Sequence, residues 1–286
     1  MKPNGWPVWM ADPTVRASLA QAGAALANVS DTPRLDAELL MAQALATTRE
    51  TMLLQHLDTA TPSGFGPLLV RRLAHEPIAY ITGSRAFWTI ELEVGPGVLV
   101  PRPDSETLIE AALAQFGQDG PRRILDLGTG PGTLLLAALS EWPQAQGIGI
   151  DKSDDALDYA RRNVASLGLG DRAMFRQGDW AQGVAGTFDL VLVNPPYIGT
   201  GESLPIDVRD HEPDIALFAG DDGLDAYRVI IPELPRLIAA RGLAILEIGA
   251  TQADAVGFMV RDVGLVGACR HDLGGRARAI IATRPV

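Results

Sequence analysis

The chain has few of the residues that build disulfides and metal sites. It contains one cysteine, Cys269, and four histidines, which are scattered along the sequence without the spacing of metal ligands. An intramolecular disulfide is therefore excluded, no metal site is expected, and a reducing cytoplasm is the expected location. We interpret Cys269 as a small buried hydrophobic side chain. His75 and its neighbour Glu76 are interpreted as surface or packing residues.

Long apolar runs and an excess of basic charge are also missing. No run approaches the roughly 18 residues of a membrane span, and the first residues, 1–6, lack the apolar stretch of a signal peptide. The 24 Lys and Arg residues face 35 Asp and Glu residues, which gives a net charge of −11. Because nucleic-acid affinity comes largely from Lys and Arg neutralising phosphates, we expect neither a membrane nor a direct nucleic-acid partner. A basic or neutral partner is favoured.

The composition is that of a soluble globular protein with room for two domains. The chain has 286 residues, of which 47% are hydrophobic and 21% charged. From Val15 to about Leu73 the apolar residues recur at helical spacing, which predicts a small helical domain over residues 1–83. Residues 87–94 and 98–100 flank Gly95-Pro96-Gly97 and predict a β-hairpin within a connector over residues 84–103. A helix is predicted to begin at Asp104.

Beyond residue 104 the predicted strands and helices alternate, which indicates an α/β fold with a Rossmann-like, doubly wound parallel sheet over residues 104–286. The predicted strands are residues 124–127, 147–150, 173–176, 189–193, 243–248 and 276–283. The predicted helices are residues 133–140, 154–166 and 224–240. Ligands of such sheets lie at the carboxyl ends of the strands. We therefore expect the segments that follow these strands to meet at one edge.

A glycine-rich loop follows the first strand of this sheet. Gly128, Thr129, Gly130, Pro131 and Gly132 lie between a buried strand and a helix, where glycine lets backbone approach a ligand and free N–H groups are available. Asp151 ends the next strand, about 20 residues later, where an acid can accept from ribose hydroxyls. The pattern predicts a nucleoside pocket. A dinucleotide site is the weaker interpretation, because Thr133 stands where its fingerprint needs glycine.

The second motif is Asn194-Pro195-Pro196-Tyr197, which follows the apolar run 190–193. The two prolines remove two backbone donors and stiffen the turn, so the Asn194 oxygen and nearby carbonyls are presented as acceptors. Such a turn can grip an NH2 group, and Tyr197 offers a face for a planar one. The alternative is an ordinary turn at the end of a strand.

The acidic segment 198–223 has no clear periodicity. Long irregular segments beside a pocket are usually functional loops. The alternative is an exposed surface loop without a functional role.

Taken with further segments, these motifs resemble the HemK/PrmC family of S-adenosylmethionine-dependent protein-(glutamine-N(5)) methyltransferases. The similarity runs over nearly the whole chain, and several segments outside the two motifs carry it. They are residues 34–40 in the helical region, 77–83 before the hairpin, 100–106 after it, Glu212-Pro213, 222–224 and 246–249. The family modifies the glutamine of the Gly-Gly-Gln motif in class-1 peptide chain release factors.

The resemblance implies a role for each motif. Residues 128–132 would wrap the methionine end of S-adenosyl-L-methionine, Asp151 would hold the ribose, and Trp180 would pack beside the adenine. Asn194, Pro195, Pro196 and Tyr197 would hold the substrate amide, with Asn194 also near the cofactor; Asn194, Pro195 and Tyr197 are the predicted catalytic residues. S-adenosyl-L-homocysteine would be the product. Arg102 and Glu106 are placed at the substrate mouth, and a monomer is expected.

Three alternatives stay open at this point. A sister activity acts on a glutamine of a large-subunit ribosomal protein. A nucleic-acid amino-methyltransferase would also use the Asn-Pro-Pro-Tyr motif, but the net charge disfavours it. A non-catalytic cofactor-binding or assembly protein is disfavoured by the intact motif and by Asp151.

Overall fold

The computed structural model describes residues 14–285, which divide into two compact units. The helical unit holds the described residues up to Ser84 together with Leu204–His211, a segment that we call the strap. The sheet unit holds Arg85–Ser203 and the residues from Glu212 onward. No sequence pattern indicated that residues 204–211 would return to the helical unit. Residues 1–13 of the predicted helical domain lie outside the described residues. They include residues 1–6, which were predicted not to form a signal peptide.

The helical unit is built from short helices around one apolar core, as predicted. The helices before Ser84 are α1 (Val15–Leu26), α2 (Pro33–Ala44), α3 (Arg49–Gln55), α4 (Phe65–Leu73) and α5 (Ile78–Thr82). Thr14 caps α1 by accepting a hydrogen bond from the Ala17 amide, and Val15, Leu19 and Leu26 recur along its buried face. The buried Arg72 donates to Asp36 over 2.7 Å and holds α4 to α2.

The predicted hairpin exists, but its turn lies earlier in the chain. Strands β1 (Ser84–Phe87) and β2 (Ile90–Glu93) form a two-stranded sheet joined through Trp88 and Thr89. Residues 98–100 are not a strand, so the prediction that residues 95–97 form the turn is wrong. Trp88 has a φ of 55°, a left-handed conformation more typical of glycine, which hid the tight turn from the sequence pattern.

The main sheet has seven strands in the order β5-β4-β3-β6-β7-β9-β8. The strands are β3 (Arg123–Leu127), β4 (Gln146–Asp151), β5 (Ala173–Gln177), β6 (Phe188–Val193), β7 (Ile238–Glu247), β8 (Val266–His271) and β9 (Ala277–Thr283). Strands β3 to β7 pair in parallel, whereas β9 pairs antiparallel with both β7 and β8. The predicted Rossmann-like sheet is confirmed, and its parallel order ends at β7.

Helices cover the sheet, and most of their predicted positions are right. Those of the sheet unit are α6 (Glu106–Phe116), α7 (Thr133–Glu141), α8 (Asp154–Ser166), α10 (Asp214–Leu217), α11 (Asp225–Ile230), α12 (Leu234–Leu237) and α13 (Ala253–Asp262); α9 (Ile206–Arg209) lies in the strap. One sheet face packs Leu125, Val191 and Ala244 against apolar residues of α11, α12 and α13. Among the described residues, no helix combines the length and the apolar character that crossing a membrane requires.

The predicted single helix over residues 224–240 is wrong. Its residues form α11, a 3-10 turn at Ile231–Glu233 and α12, and β7 already begins at Ile238. Pro232 and Pro235 lack the N–H that a continuous helix needs, and their rings clash with the preceding turn. Helix α13 and strand β8 were not predicted at all.

Candidate active site

The glycine loop is fixed to the neighbouring strand by its backbone. The amides of Gly128 and Thr129 both donate to the carbonyl oxygen of Ile150, at 2.9 and 3.0 Å. Gly128 and Gly132 have positive φ angles, and a Cβ at Gly128 would lie 3.1 Å from Cζ3 of Trp180. Glycine at position 128 therefore allows both the turn and the close approach of the Trp180 ring.

Asp151 joins the loop to the start of α8. Its Oδ2 accepts from the Gly130 amide at 2.8 Å and its Oδ1 from the Ser153 amide at 2.9 Å. Burial raises the pKa of Asp151 above its ordinary value, while the amides of Ser153 and Gly130 lower it. Each carboxylate oxygen keeps a further lone pair for a ligand hydroxyl.

Asp126 is a buried acid of β3, close to the loop, that the sequence analysis missed. Its Oδ2 accepts from the Thr129 hydroxyl at 2.6 Å and from the Leu135 amide at 3.2 Å, whereas its buried Oδ1 has no hydrogen-bond partner. Burial raises the pKa of Asp126 to about 7, and the nearby Asp151 adds to the rise. Its position inside an apolar strand, directly before the loop, was the signal that could have identified it.

A cavity of about 440 Å³ opens at the carboxyl ends of β3, β4 and β6. Of the predicted site residues, the structure brings Gly128, Asp151, Trp180, Asn194 and Pro196 together in its wall. The wall also includes residues from the end of the acidic segment, which was predicted to be a functional loop, and from α11, which no sequence pattern placed at the site. These further lining residues include Ile215, Ala216, Phe218, Ala219, Gly220, Asp225, Ala226 and Val229.

A second, smaller cavity of about 50 Å³ adjoins the glycine loop. Thr129, Gly130 and Pro131 line it, and so do Arg102, Ser105 and Asp126. Gly128 and Asn194 line both cavities. Asn194 therefore lies where a group in one cavity could meet a group in the other. Gly132 lines neither cavity and begins α7 instead.

The Asn-Pro-Pro-Tyr turn is held at both of its ends. The Asn194 Nδ2 donates to Oγ of Ser105 at 3.2 Å, and the Tyr197 hydroxyl donates to Oε1 of Glu247 at 3.3 Å. Among the described residues, none donates a hydrogen bond to Asn194 Oδ1, which leaves this oxygen to accept from a ligand. Pro195 is buried, and neither of the two cavities is lined by Pro195 or Tyr197.

Arg102 precedes α6 and Glu106 begins it, and each makes a hydrogen bond to a distant part of the sheet unit. Arg102 donates to the carboxylate of the buried Glu212, which also accepts from the Val100 amide at 3.2 Å. Glu106 accepts from the Trp88 amide at 2.8 Å. Of the two residues, only Arg102 lines either cavity.

The residues set aside as structural have ordinary surroundings, with one correction. His75 is half-buried in the helical unit, and Glu76 pairs with Arg71 at 2.7 Å. Cys269 is exposed, so its interpretation as buried is wrong, because β8 is an edge strand with mostly exposed side chains. Within residues 14–285, no group of His, Cys, Asp and Glu side chains is arranged to hold a metal ion.

Comparison with known families matches both parts of the chain. Residues 17–83 match the PrmC N-terminal domain, and residues 119–254 match a methyltransferase domain. The second match contains the glycine loop, Asp151 and the Asn-Pro-Pro-Tyr turn. The chain is therefore an enzyme of the methyltransferase class.

Similar proteins extend the match over most of the chain. A release factor glutamine methyltransferase of Rhodospirillum rubrum is 42% identical over 262 residues, covering 88% of this chain and 79% of its own. A protein of the same name from Caulobacter vibrioides is 42% identical over 240 residues, covering 82% and 83%. The fold is shared with a methyltransferase from Pyrococcus furiosus, with a TM-score of 0.54, 20% identity and coverage of 76% and 98%. Because the two bacterial proteins are 42% identical to this chain over more than four fifths of its length, the chain belongs to the release factor glutamine methyltransferase family.

Proposed function

We propose that this enzyme methylates the side-chain amide nitrogen of the glutamine in the Gly-Gly-Gln motif of class-1 release factors. S-adenosyl-L-methionine is the proposed methyl donor. The observation that carries the proposal is the position of Asn194, which lines both cavities and whose Oδ1 accepts from no donor among the described residues. The names of the two bacterial relatives support the substrate class.

The residues around the cavities fit this cofactor. The cavity of about 440 Å³ carries an aromatic ring, Trp180, and a carboxylate, Asp151, which suit an adenine and a ribose. Asp126 lines the smaller cavity, and its buried Oδ1 has no hydrogen-bond partner among the described residues; the proposed partner of this carboxylate is the cofactor's ammonium group. A Cβ at Gly128 would crowd the Trp180 ring, at 3.1 Å from its Cζ3.

When bound, S-adenosylmethionine supplies a methyl group attached to a positively charged sulfur. The chain's own contribution is orientation: Asn194 Oδ1 accepts from the substrate NH2 group, which favours electron density on the nitrogen, and the stiff turn fixes the direction of approach. A water-poor cavity strengthens these hydrogen bonds. No side chain has to act as a strong base, because the methylated nitrogen is acidic enough to lose its proton to water.

The substrate assignment is tested by methylation with labelled cofactor. Purified class-1 release factors, large-subunit ribosomal proteins and transfer RNA are incubated separately with the enzyme, and the labelled residue is mapped by mass spectrometry. We expect label on the Gly-Gly-Gln glutamine alone and none on a release factor in which that glutamine is alanine. Label on a ribosomal protein or on RNA in preference to the release factor would replace the proposed substrate.

The cofactor assignment predicts that Asp151→Ala weakens S-adenosylmethionine binding by about 1.5 to 3 kcal/mol, the usual contribution of hydrogen bonds to a charged group. Isothermal calorimetry measures the affinity. Because the two oxygens of Asp151 also accept from the Gly130 and Ser153 amides, Asp151→Asn serves as a second variant, which removes the charge and keeps one of the two acceptors. Unchanged affinity in a folded Asp151→Ala protein would remove Asp151 from the site.

A further inference from the structure

Acidic side chains outnumber basic ones around the two cavities. The acids that line them are Asp126, Asp151, Asp179 and Asp225. The described lining residues include one lysine, Lys152 at the larger cavity, and one arginine, Arg102 at the smaller cavity. A ligand with a negative group therefore meets an opposite full charge at few places in this site.

Of these two basic residues, Arg102 is the one that is held in place. Lys152 is largely exposed, and its Nζ lies 3.9 Å from Oδ2 of Asp179. Arg102 donates from Nη2 to Oε1 of the buried Glu212, whose Oε2 accepts from the Val100 amide at 3.2 Å. Among the described residues, Glu212 is the one hydrogen-bond acceptor of Arg102. Because a guanidinium group has five N–H donors, Arg102 keeps donors for a ligand.

The backbone of the glycine loop offers little to a negative group. A backbone cradle for an anion needs free amides, but the loop amides already donate within the protein and Pro131 has none. The donors are Gly128 and Thr129, which bond to the Ile150 carbonyl, Gly130, which bonds to Asp151, and Gly132, which bonds to the Thr129 carbonyl. A negative group at the smaller cavity therefore depends on groups outside residues 128–132.

The proposed cofactor brings such a negative group. In its methionine part, the carboxylate and the ammonium group are attached to the same carbon atom. If the ammonium group pairs with Asp126, the carboxylate comes to the smaller cavity with it. Thr133 and Leu134, at the start of α7, also line this cavity and add the partial positive charge of a helix N-terminus. The full positive charge at this cavity is that of Arg102.

We propose that Arg102 binds the carboxylate of the cofactor's methionine part and that Glu212 fixes the guanidinium group for this contact. The planar guanidinium suits a carboxylate, because two parallel N–H donors can pair with its two oxygens. This inference rests on the proposed function and adds to it a cofactor-binding role for Arg102, which was predicted to lie at the substrate mouth.

The test compares ligands that differ by one charged group. Calorimetry measures how the full-length protein binds S-adenosylhomocysteine, its decarboxylated analogue, which keeps the ammonium group, and methylthioadenosine, which has neither group. For wild type we expect the decarboxylated analogue to bind about 10- to 100-fold more weakly than S-adenosylhomocysteine, the usual effect of losing a hydrogen bond between charged groups. In Arg102→Gln these two ligands should bind almost equally, because the group that distinguishes them is gone.

Two variants serve as matched controls. Lys152→Gln removes the basic residue of the larger cavity, and Asp126→Asn removes the partner proposed for the ammonium group. The ratio of the two affinities should keep its wild-type value in both variants. Asp126→Asn should weaken both ligands that carry the ammonium group and leave methylthioadenosine unchanged. Arg102→Lys keeps the charge but loses the planar pair of donors, so we expect an intermediate ratio.

Several outcomes would overturn the role of Arg102. They are equal binding of the two ligands to wild type, a wild-type ratio in a folded Arg102→Gln protein, and a loss in Arg102→Gln that is the same for all three ligands. If Arg102→Gln does not fold, Arg102→Lys decides by the same ratio, and a wild-type ratio there would overturn the role as well.

The measurement also separates this inference from the proposed function, because no protein substrate is present. Failure of the wild-type enzyme to methylate any release factor would overturn the proposed substrate, while the ligand affinities would still decide the role of Arg102. Failure of the wild-type enzyme to bind S-adenosylhomocysteine would overturn the proposed cofactor and this inference with it.

Discussion

At the scale of single residues, the candidate site depends on which atom of each side chain is left for a ligand. Asn194 uses its Nδ2 on Ser105, and Asp126 uses its Oδ2 on Thr129 and Leu135. The oxygens that remain, Oδ1 of each residue, accept from no donor among the described residues, and both residues line the smaller cavity. The neighbouring hydrogen-bond partners, and not the residue type alone, therefore decide which atom of each side chain can bind a ligand.

Asn194→Ala is expected to lower methyl transfer more than cofactor binding. Loss of one preorganised hydrogen-bonding group in a dry site costs about 10²- to 10³-fold in rate, so the single-turnover rate at saturating cofactor and release factor should fall by that order. Asn194→Asp keeps an acceptor but cannot donate to Ser105 when ionised, and we expect partial activity at best. A near-wild-type rate in a folded Asn194→Ala protein would contradict the mechanism.

Asp126 is expected to make the folded protein less stable as pH rises. Its pKa is about 7 when folded and 3.8 in its ordinary state, so the folded protein binds the proton more tightly. The stabilisation is complete below about pH 4 and is lost as pH rises through about 7, up to about 4 kcal/mol at 1.36 kcal/mol per pKa unit.

The measurement compares urea unfolding of wild type and Asp126→Asn from pH 4 to 8, since other titrating groups cancel in the difference. The asparagine oxygen can still accept from Thr129 and Leu135. We expect the variant to gain stability relative to wild type as pH rises. A difference that stays constant over this range would show that Asp126 titrates normally.

At the scale of elements, the passage from β3 through the glycine loop to α7 shows how packing selects glycine. Gly130 and Gly132 both have positive φ angles, 57° and 88°. A Cβ at Gly130 would meet no atom within 4 Å, whereas at Gly132 it would lie 2.8 Å from Cδ1 of the buried Leu136. The same backbone requirement thus has different steric consequences two residues apart.

Gly132→Ala is expected to destabilise the protein by about 2 to 4 kcal/mol, because strain of the left-handed backbone adds to overlap with Leu136. Gly130→Ala, the matched control, carries the backbone strain alone, and we expect a loss of about 1 to 2 kcal/mol. Chemical unfolding of both variants gives the comparison. Equal losses would mean that Leu136 moves aside without cost.

Elements with strong local signals could be predicted from the sequence. The strands β3, β4, β5 and β6 and the helix α8 were placed within about one residue, since each combines a clear hydrophobic period with glycine, proline or acidic residues at its ends. Strand β8 gave no such signal, because an edge strand with exposed side chains has no buried face to mark it. The break of the helix has a local cause in the sequence, the prolines Pro232 and Pro235.

Most of the site contacts that the sequence did not predict join residues far apart in the chain. Asn194 and Ser105 are 89 positions apart, and Tyr197 and Glu247 are 50 apart. Their partnership follows from strand order and not from any local pattern. The same holds for Ile215, Ala216 and Phe218 to Gly220, which line the larger cavity: a functional loop was predicted there, but not which of its residues reach the site.

At the scale of the whole molecule, the net charge is divided unequally between the two units. Residues 1–84 carry six basic and seven acidic side chains, so most of the net charge of −11 falls on the rest of the chain. Electrostatic attraction of a basic partner would therefore act mainly through the sheet unit. The helical unit, which we propose as the docking domain for the release factor, has to contribute by shape and apolar contact, and Leu54 of α3 is 83% exposed.

The strap changes how this docking role is tested. Arg72 lies 3.9 Å from Asp207 of the strap, and the chain then returns to the sheet unit at the buried Glu212. Deleting residues 1–83 removes the partners of α9. A second deletion protein, in which residues 204–211 are also replaced by a Gly-Ser linker, therefore separates loss of docking from the effects of an unsupported strap.

Both deletion proteins are expected to keep their cofactor affinity, because every residue that lines the two cavities belongs to the sheet unit. Methylation of an intact release factor should fall strongly, whereas methylation of a short Gly-Gly-Gln peptide at high concentration should persist, because the peptide offers no distant surface to dock. Cofactor affinity is measured by calorimetry and both rates by label transfer. Full-rate methylation of the intact factor by either protein would show that the helical unit has no part in docking. Loss of cofactor binding in the first protein alone would show that the unsupported strap, rather than the missing domain, disturbs cofactor binding.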